Sequence, residues 1–383
     1  MGIEGSLNIA ISTASGRVEQ VSIESSRPVY ASQVLVGKSV TEALKTLPVL
    51  FSICGTAQAC AGVRACEQAL GIMPADGIEH RREALVAMET VREHLWRILL
   101  DWPGFLDVVP EKKGMNDILA LQREHRQVLT GGQDPMQLGG TESLAEKICV
   151  DDLTKQARLL LQQVVFEVCP AQWLALDTPA ALQRWTCSAT TVAARLLGDV
   201  MQQAWSDLGR CEVEALPSMD MAYVEQQMQD KEFIRQPQWH GDCRESTCLS
   251  RVDSPLLQQL RRHDGNGLLV RLVARLTELA QLSSQLSAPD CGTATLSITP
   301  QNPGIGQVAA ARGQLLHRVQ VQDERIARYQ ILAPTEWNFH PLGVVARSLA
   351  SLQGEAGQMR QQAKLLINAI DPCVGYQLSI KHA

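Results

Sequence analysis

The sequence has few aromatic residues, which make up 4% of the chain although 45% of its residues are hydrophobic. Leucine, valine and alanine must therefore fill the core, and this composition favours helices. No stretch approaches about 20 uninterrupted apolar residues, so we expect no membrane-spanning segment. Residues 1–12 have neither a basic start nor an apolar run, and they predict no secretory signal peptide.

The chain also lacks an excess of positive charge. Its 35 Lys and Arg residues face 41 Asp and Glu residues, which gives a formal net charge of −6. This balance gives no support for nucleic acid or an anionic membrane as a partner. The 11 cysteines are odd in number and follow no disulfide framework. We therefore expect reduced thiols and a cytoplasmic protein.

With 383 residues, the chain could form two or three domains of roughly 150 residues each. We instead predict a single unit over residues 1–383, because two cysteine motifs near its opposite ends are expected to meet. The segment from about 216 to 252 is mixed and polar in sequence, and we expect it to be an irregular excursion over the surface.

Alternating apolar residues predict short strands near both ends of the chain. The predicted strands are Ser6–Ser12, Arg17–Glu24, Thr293–Ile298, Gly313–Val321 and Glu324–Leu332. Apolar residues spaced by threes and fours predict helices elsewhere. The predicted helices cover 39–50, 55–70, 79–102, 116–129, 142–168, 179–208, 256–286, 342–352 and 356–370. The expected fold class is α+β, a large helical bundle flanked by small antiparallel sheets from both termini.

Cys54 is the first candidate site residue. It lies in Ser52-Ile53-Cys54-Gly55, where Gly55 lets the backbone turn sharply or approach a ligand closely. The cysteine is at or near the start of a predicted helix, whose backbone N–H groups lower the pKa of a thiol. A buried structural cysteine is the alternative interpretation.

Cys373 is the second candidate, in the segment Asp371-Pro372-Cys373. Pro372 ends the last predicted helix and fixes the turn, and Asp371 can accept backbone N–H bonds that hold it. An ordinary proline-terminated helix is the alternative. If the fold brings Cys54 and Cys373 together, their two thiolates can coordinate a soft metal and leave most of its coordination positions open.

Several ordered motifs resemble those of the large subunit of NiFe hydrogenases. Five or six matches in the family's order are more specific than any one of them. The resemblance covers the whole length and implies the fold of that subunit. The matching segments are Ile3-Glu4-Gly5, Ser52-Ile53-Cys54-Gly55, Glu245 to Arg251, Ala311-Arg312-Gly313 with His317, Pro334-Thr335-Glu336-Trp337-Asn338 and Asp371-Pro372-Cys373.

The chain departs from this family at the residues that complete its metal site. The two bridging cysteines of the family fall at Ala57 and Tyr376. A nickel–iron centre would lack the thiolates that bridge its metals, so we expect no stable nickel. The histidines of the family motifs fall at Ser6, Ala61 and Ser379.

With these motifs retained and these metal-site residues lost, the sequence resembles accessory proteins of the HoxV/HupK type. That resemblance implies a non-enzymatic scaffold for hydrogenase maturation, in which Cys54 and Cys373 transiently hold an Fe(CN)2(CO) unit. Arg312 would donate charge-assisted hydrogen bonds to the cyanides. The implied partners are a small maturation chaperone and the hydrogenase large subunit. In the family the two retained cysteines are terminal nickel ligands, so an iron scaffold would use them differently.

Two other functions stay open at this point. A divergent hydrogenase could use Cys60 in place of a lost cysteine, and it would carry nickel. A metal-free subunit similar to the quinone-binding subunit of respiratory complex I would not need Cys54 and Cys373 as ligands. Thiol-independent function would favour the second of these.

Other candidate residues carry weaker signals. His240, Cys243 and Cys248 suggest a zinc site, but no fourth ligand lies near them in the sequence. Arg312 could also be a salt-bridging residue at the edge of the core. We expect packing or structural roles for Cys60, Cys66, Glu4, Trp337 and Asn338, and positions on the surface or beside the site for His317 and His340.

Overall fold

The computed structural model describes residues 5–27, 31–140, 147–286 and 299–382. These residues form an α+β fold, as predicted, in which a large helical body carries two three-stranded sheets. The strands are β1 (Leu7–Ala14), β2 (Arg17–Ser25), β3 (Gly304–Ala310), β4 (Gly313–Gln322), β5 (Arg325–Leu332) and β6 (Tyr376–His382).

The helical body contains long helices and several short ones. The α-helices are α1 (Val40–Leu50), α2 (Gly55–Leu70), α3 (Ile78–Trp96), α4 (Lys112–Thr130), α5 (Lys147–Leu161), α6 (Pro170–Leu174), α7 (Pro179–Ser188), α8 (Val192–Gln202), α9 (Met221–Gln227), α10 (Lys231–Arg235), α11 (Pro255–Asp264), α12 (Leu268–Leu282), α13 (Pro334–Asn338), α14 (Val344–Ala350) and α15 (Ala356–Ile370). Single turns of other helix types cover Ala31–Leu35, Arg97–Asp101, Trp102–Phe105, Gln162–Phe166 and Cys248–Ser250.

The first sheet has the strand order β2-β1-β6. Strands β1 and β2 form the predicted hairpin, and Ser15 and Gly16 both have positive φ, as a tight hairpin turn requires. Strand β6 pairs parallel to β1, from Leu7 opposite Tyr376 onward. The prediction of purely antiparallel sheets is therefore wrong for this sheet. Two parallel strands need a long crossover connection, and the helical body between β1 and β6 provides it.

The second sheet has the strand order β3-β4-β5, and all its pairings are antiparallel. The predicted β4–β5 hairpin is confirmed, with Asp323 and Glu324 at its turn. Strand β3 was not predicted, since Gly304 and Gly306 weaken its β-strand pattern. The strand predicted over Thr293–Ile298 lies outside the described residues.

Helix α2 packs directly on β3 and β4. This packing depends on two glycines, because a Cβ atom at Gly304 or Gly306 would overlap backbone atoms of Ala65 or Ala61 in the helix. The close contact fixes the position of α2 relative to the sheet. It therefore fixes the start of α2, where Cys54 lies, relative to the β3–β4 turn, where Arg312 lies.

The helices follow the prediction in most places. Ser39 caps α1 through its side chain and forms a capping box with Glu42. Two stretches expected to be continuous are each broken into two helices, at residues 189–191 between α7 and α8 and at residues 265–267 between α11 and α12. Glycines flank Asn266 in the second break, so its backbone can leave the helical conformation.

Exposed and buried residues are mixed in the segment 216–252, so the prediction of an irregular surface excursion is wrong for its buried part. It contains α9 and α10, and its apolar residues pack against Leu316, Leu332 and Trp337 of the second sheet and α13. Glu245 and Ser246 are also buried. The polar sequence was misleading because these polar groups are hydrogen-bonded inside the protein.

Across the described ranges, no helix combines the length and the apolar character needed to cross a bilayer.

Candidate functional site

Cys54 directly precedes α2, and its thiol is partly buried. Glu89 of α3 accepts hydrogen bonds from the backbone N–H groups of Thr56 and Ala57 at 2.8 and 3.0 Å. The carboxylate thus occupies the donors that were expected to act on the thiol. The predicted lowering of its pKa is wrong, since burial and then the charge of Cys373 raise the pKa of Cys54 to about 12.

Cys373 lies between α15 and β6 and is also partly buried. Its Sγ accepts a hydrogen bond from Nη1 of Arg27 at 2.8 Å and contacts Oγ1 of Thr335 at 2.9 Å. The backbone N–H of Cys373 donates to the same hydroxyl oxygen at 3.3 Å. These contacts fix the position of the sulfur.

The two cysteines belong to one electrostatic neighbourhood. The charge of Cys373 acts on Cys54, and the charges of both act on Arg27 and on Arg312. Over the described part of the chain, no group of three or more His, Cys, Asp or Glu side chains could hold a metal ion. This neighbourhood therefore contains two thiols together with two arginines.

Arg312 is buried and joins the turn at β4 to the rest of the site. Its Nη2 donates to Glu93 at 2.9 Å, and its Nε donates to Asp371 at 3.1 Å and to the carbonyl oxygen of Pro372 at 3.3 Å. Its Nη1 is buried and has no hydrogen-bond partner. The Nη1 atoms of Arg251, Arg271 and Arg275 are also without a partner, and such a donor is costly to bury unless a ligand or an ordered water accepts from it.

Asp371 is surrounded by arginines. Besides Arg312, it accepts from Nε of Arg97 at 2.8 Å, and Arg275 lies 3.5 Å from its other oxygen. Although burial alone would raise its pKa, these three guanidinium groups hold the pKa of Asp371 well below its usual range. The expected backbone hydrogen bonds to Asp371 are replaced by these side-chain contacts, and its own backbone has a positive φ at the end of α15.

A cavity of about 530 Å³ opens beside Cys373 and Arg312. Ser52 and Ile53, which precede Cys54, also line it, while Cys54 itself is not among its lining residues. The cavity brings together residues from both ends of the chain. The other lining residues are Arg92, Glu93, Trp96, Arg97, Leu119, Asn368, Pro372, Val374, Gly375 and Tyr376.

A chain of buried hydrogen bonds leads from Cys54 into the core. Gln58 Nε2 donates to Sγ of Cys54 at 3.5 Å, and Gln58 Oε1 lies 2.8 Å from Nε2 of His317. Nδ1 of His317 lies 2.7 Å from the hydroxyl of Tyr329. Burial lowers the pKa of His317 to about 3, so its ring is neutral at ordinary pH. Of the two positions predicted for His317, the one beside the site is correct.

Residues of the remaining motifs hold the backbone that carries Arg312. Asn338 donates to the carbonyl oxygens of Ser246 and Arg312 at 2.9 and 3.3 Å, and it accepts from the N–H of Ser246 at 2.7 Å. Arg251 donates to the carbonyl oxygen of Ala311 at 3.2 Å. The structural role predicted for Asn338 is confirmed, and Trp337 is fully buried in packing contact with Phe233.

The suggested zinc cluster does not form. His240 is exposed and packs against Tyr223 and Trp239, whereas Cys248 is buried in the main core. Cys243 instead contacts Nδ1 of His340, which is buried, at 3.3 Å. Three residues close in sequence thus point to three different environments.

Cys60 and Cys66 belong to α2 and are fully buried in the core, as predicted. Burial raises the pKa of each thiol to about 12. The charges that act on Cys60 are those of Arg64, Glu79, Arg82 and Glu83, and none of these belongs to the Cys54 and Cys373 neighbourhood. Nothing favours Cys60 as a substitute ligand. Glu4 lies outside the described residues.

Three residues of the site were not predicted from the sequence. Glu89 follows Leu85 by four residues, so a charge on the apolar face of a predicted helix was an available signal. Gln58 follows Cys54 by four residues, which places both on one face of α2. Arg27 carried no signal, because its contact with Cys373 depends on residues 346 positions apart.

Comparisons with known proteins identify the fold and the family of the chain. A family model described as Nickel-dependent hydrogenase matches residues 209–375. The structure of the Ni-Fe-Se hydrogenase from Desulfovibrio vulgaris Hildenborough superposes with a TM-score of 0.65 over 94% of both chains, at 16% sequence identity. The chain therefore has the fold of a hydrogenase subunit, and the low identity carries the comparison no further.

Closer relatives define the family. The hydrogenase expression/formation protein HupK of Azotobacter vinelandii is 30% identical over 99% of both chains. HoxV of Cupriavidus necator, with the same description, is 30% identical over 92% of this chain and 91% of its own. The chain belongs to this family of hydrogenase expression/formation proteins, so the predicted HoxV/HupK resemblance is confirmed.

Proposed function

We propose that this protein is a non-enzymatic scaffold in the formation of a NiFe hydrogenase. It would act in the cytoplasm and transiently hold an Fe(CN)2(CO) unit that is destined for the hydrogenase large subunit. A small maturation chaperone and that subunit would be its partners. The observation that supports the proposal is that Cys54 and Cys373 share one electrostatic neighbourhood with buried Arg312, whose Nη1 has no hydrogen-bond partner.

The donor set suits a cargo of this kind. Two sulfur ligands bind a soft metal centre, and they leave its remaining positions to the ligands that arrive with it. Cys54 is protonated when nothing is bound, because its pKa is about 12. It would therefore lose its proton when the cargo binds, as thiol ligands of metals do.

Arg312 supports the same assignment. Its unpartnered Nη1 is a charged donor, and a cyanide nitrogen is an acceptor that can meet it. Glu93 and Asp371 hold the rest of the guanidinium group in place. The donor is therefore oriented before any cargo arrives.

Ala57 and Tyr376 explain why the cargo would be iron alone and why it would be released. Neither residue supplies a third or fourth thiolate, and the N–H of Ala57 is already bonded to Glu89. A metal unit held by two sulfurs has fewer bonds to break when it moves to a partner. We accordingly propose that the protein holds no stable nickel.

The decisive experiment uses protein purified anaerobically from a maturation-competent cell. Infrared spectroscopy of the parent should show cyanide and carbonyl stretching bands, and both bands should be lost in C54A and C373A. Hydrogenase formation in the same cells should fall with them. C187A, which removes an exposed cysteine, should keep both bands, and C60A tests the alternative ligand.

Circular dichroism and thermal unfolding should show that C54A and C373A remain folded, since both side chains are small and partly exposed. Normal hydrogenase formation in C54A and C373A would refute the scaffold site. Stoichiometric nickel with hydrogen uptake in the parent would instead establish the divergent enzyme.

A further inference from the structure

Arg27 lies directly against the sulfur of Cys373. Its Nη1 donates to Sγ at 2.8 Å, and its Nε lies 3.3 Å from Oε1 of Glu336. Both side chains are largely buried, with 12% and 14% of their surfaces exposed. A buried guanidinium group thus contacts the sulfur of the candidate ligand Cys373, and Glu336 is the carboxylate partner of that group.

Two guanidinium groups act on Cys373, but they differ in their contacts. Arg312 donates to Glu93, to Asp371 and to the carbonyl oxygen of Pro372. Arg27 donates directly to the sulfur. The charge of Arg27 therefore acts at short range on any metal bonded to Cys373.

We propose that Arg27 sets the charge of the metal species that Cys373 accepts, so that the site rejects free divalent cations and admits a metal complex with anionic ligands. This inference rests on the proposed function and names a specificity-determining residue for it. The pair of thiols would thus exclude free divalent cations and bind a metal complex with anionic ligands.

The physical reason is electrostatic. Two adjacent thiolates would ordinarily attract Zn²⁺ or Ni²⁺ from solution. A metal bonded to Cys373 would lie about 2.3 Å from the sulfur, and so within a few ångströms of the guanidinium group. Two positive charges at that separation repel strongly where water is excluded.

An Fe(CN)2(CO) unit avoids this repulsion. The charge of ferrous iron is cancelled by its two cyanides, and carbon monoxide is neutral, so the unit brings no net positive charge to Arg27. Cyanide nitrogens also accept hydrogen bonds from guanidinium N–H groups. The same arginine would therefore oppose one class of metal species and favour the other.

The test measures Zn²⁺ binding to the reduced, metal-free, full-length protein by competition with a chromophoric chelator. R27Q should bind Zn²⁺ more tightly than the parent, on the order of tenfold, and R27K should resemble the parent because it keeps the charge. E336Q should bind Zn²⁺ more weakly, since it removes the charge that offsets Arg27. Opposite effects in R27Q and E336Q would not arise from a loss of packing.

R17Q is the matched control, because Arg17 is exposed at the start of β2, the strand that precedes Arg27, and its replacement removes the same unit of charge. Its Zn²⁺ affinity should equal that of the parent. Zinc affinity that does not rise in R27Q, or that rises equally in R27K, would overturn the inference.

Infrared spectra of the same variants separate this inference from the scaffold function. Cyanide and carbonyl bands in the parent, combined with unchanged Zn²⁺ affinity in R27Q, would remove the role of Arg27 and leave the scaffold standing. If R27Q binds zinc more tightly and the double variant R27Q/C373A loses this gain, the result would support the proposal that Arg27 selects metal species by charge at the sulfur of Cys373.

Discussion

Arg312 and Asp371 form a buried ion pair in which Nε and Oδ1 are 3.1 Å apart, although 59 positions separate the two residues in the chain. Arg312 also donates to the carbonyl oxygen of Pro372, the residue directly before Cys373. The start of β4 is thereby tied to the loop that carries the second cysteine. The geometry of the site thus depends on a contact that contains neither sulfur atom.

Replacing Asp371 with asparagine should destabilise the protein severely. Arg97, Arg275 and Arg312 would then share a buried position without their common carboxylate. Breaking a buried ion pair in this way costs about 3 to 5 kcal/mol of the free energy of unfolding, which urea denaturation at pH 7 can measure. D117N removes one partner of an exposed pair and should leave the urea midpoint almost unchanged.

The same aspartate gives a pH dependence with a definite sign. Its pKa is held well below the ordinary value of 3.8 in the folded protein, so its contribution to stability is complete above that value. The contribution is lost as the pH falls below about 4. The difference in stability between the parent and D371N should therefore shrink on acidification, and a difference that grows would contradict the arginine cluster.

His317 should remain neutral throughout the physiological range. Burial lowers its pKa to about 3 and both of its ring nitrogens have partners, so its NMR signals should not titrate between pH 8 and pH 5. His263 is the internal control. It is exposed, and its hydrogen bond to Asp264 raises its pKa, so its signals should titrate at a higher pH than those of an ordinary histidine.

A neutral His317 also affects stability. Between pH 6.5 and pH 3 the unfolded chain binds a proton at this residue that the folded chain does not, so stability falls as the pH falls. Between pH 7.5 and pH 5 the parent should lose about 2 kcal/mol more than H317Q. Equal losses in urea denaturation would show that the histidine is not shielded as described.

Gly306 should not tolerate a side chain. Its Cβ atom would overlap the carbonyl oxygen of Ala61, so G306A must push α2 away from β3 at a cost of at least about 2 kcal/mol. Because Cys54 precedes α2, infrared bands of the cargo should also weaken or shift. G357A is the matched control, since nothing lies near Gly357 in α15 and alanine there should stabilise the protein by up to about 1 kcal/mol.

Local patterns predicted the elements whose stability is local. The hairpin turn at Ser15 and Gly16, the capping residue Ser39 and the bounds of α15 were all readable from short stretches of sequence. Strand β6 was missed although Tyr376, Leu378 and Ile380 alternate with polar residues. A short strand at the edge of a sheet depends on its partner, which here is β1 from the other end of the chain.

The residues of the candidate site also differ in whether the sequence alone could identify them. Cys54, Cys373 and Arg312 were found because they lie in motifs that resemble a known family. Arg27 lies in none of these motifs, and Glu336 lies in one of them without having been assigned a role. The significance of both appears only when the loop after β2 meets α13 and the loop between α15 and β6. The burial that raises the pKa of Cys54 likewise depends on tertiary packing, which reversed the prediction from helix position alone.

The parallel pairing of β1 with β6 has a consequence for synthesis on the ribosome. Leu7 is translated early, yet its neighbour Tyr376 is translated some hundreds of residues later. During translation, the edge of β1 that pairs with β6 therefore has no strand partner until β6 has been synthesised. Contacts so distant in sequence form slowly, so Cys373 joins the surroundings of Cys54 only after the helices between them have been translated.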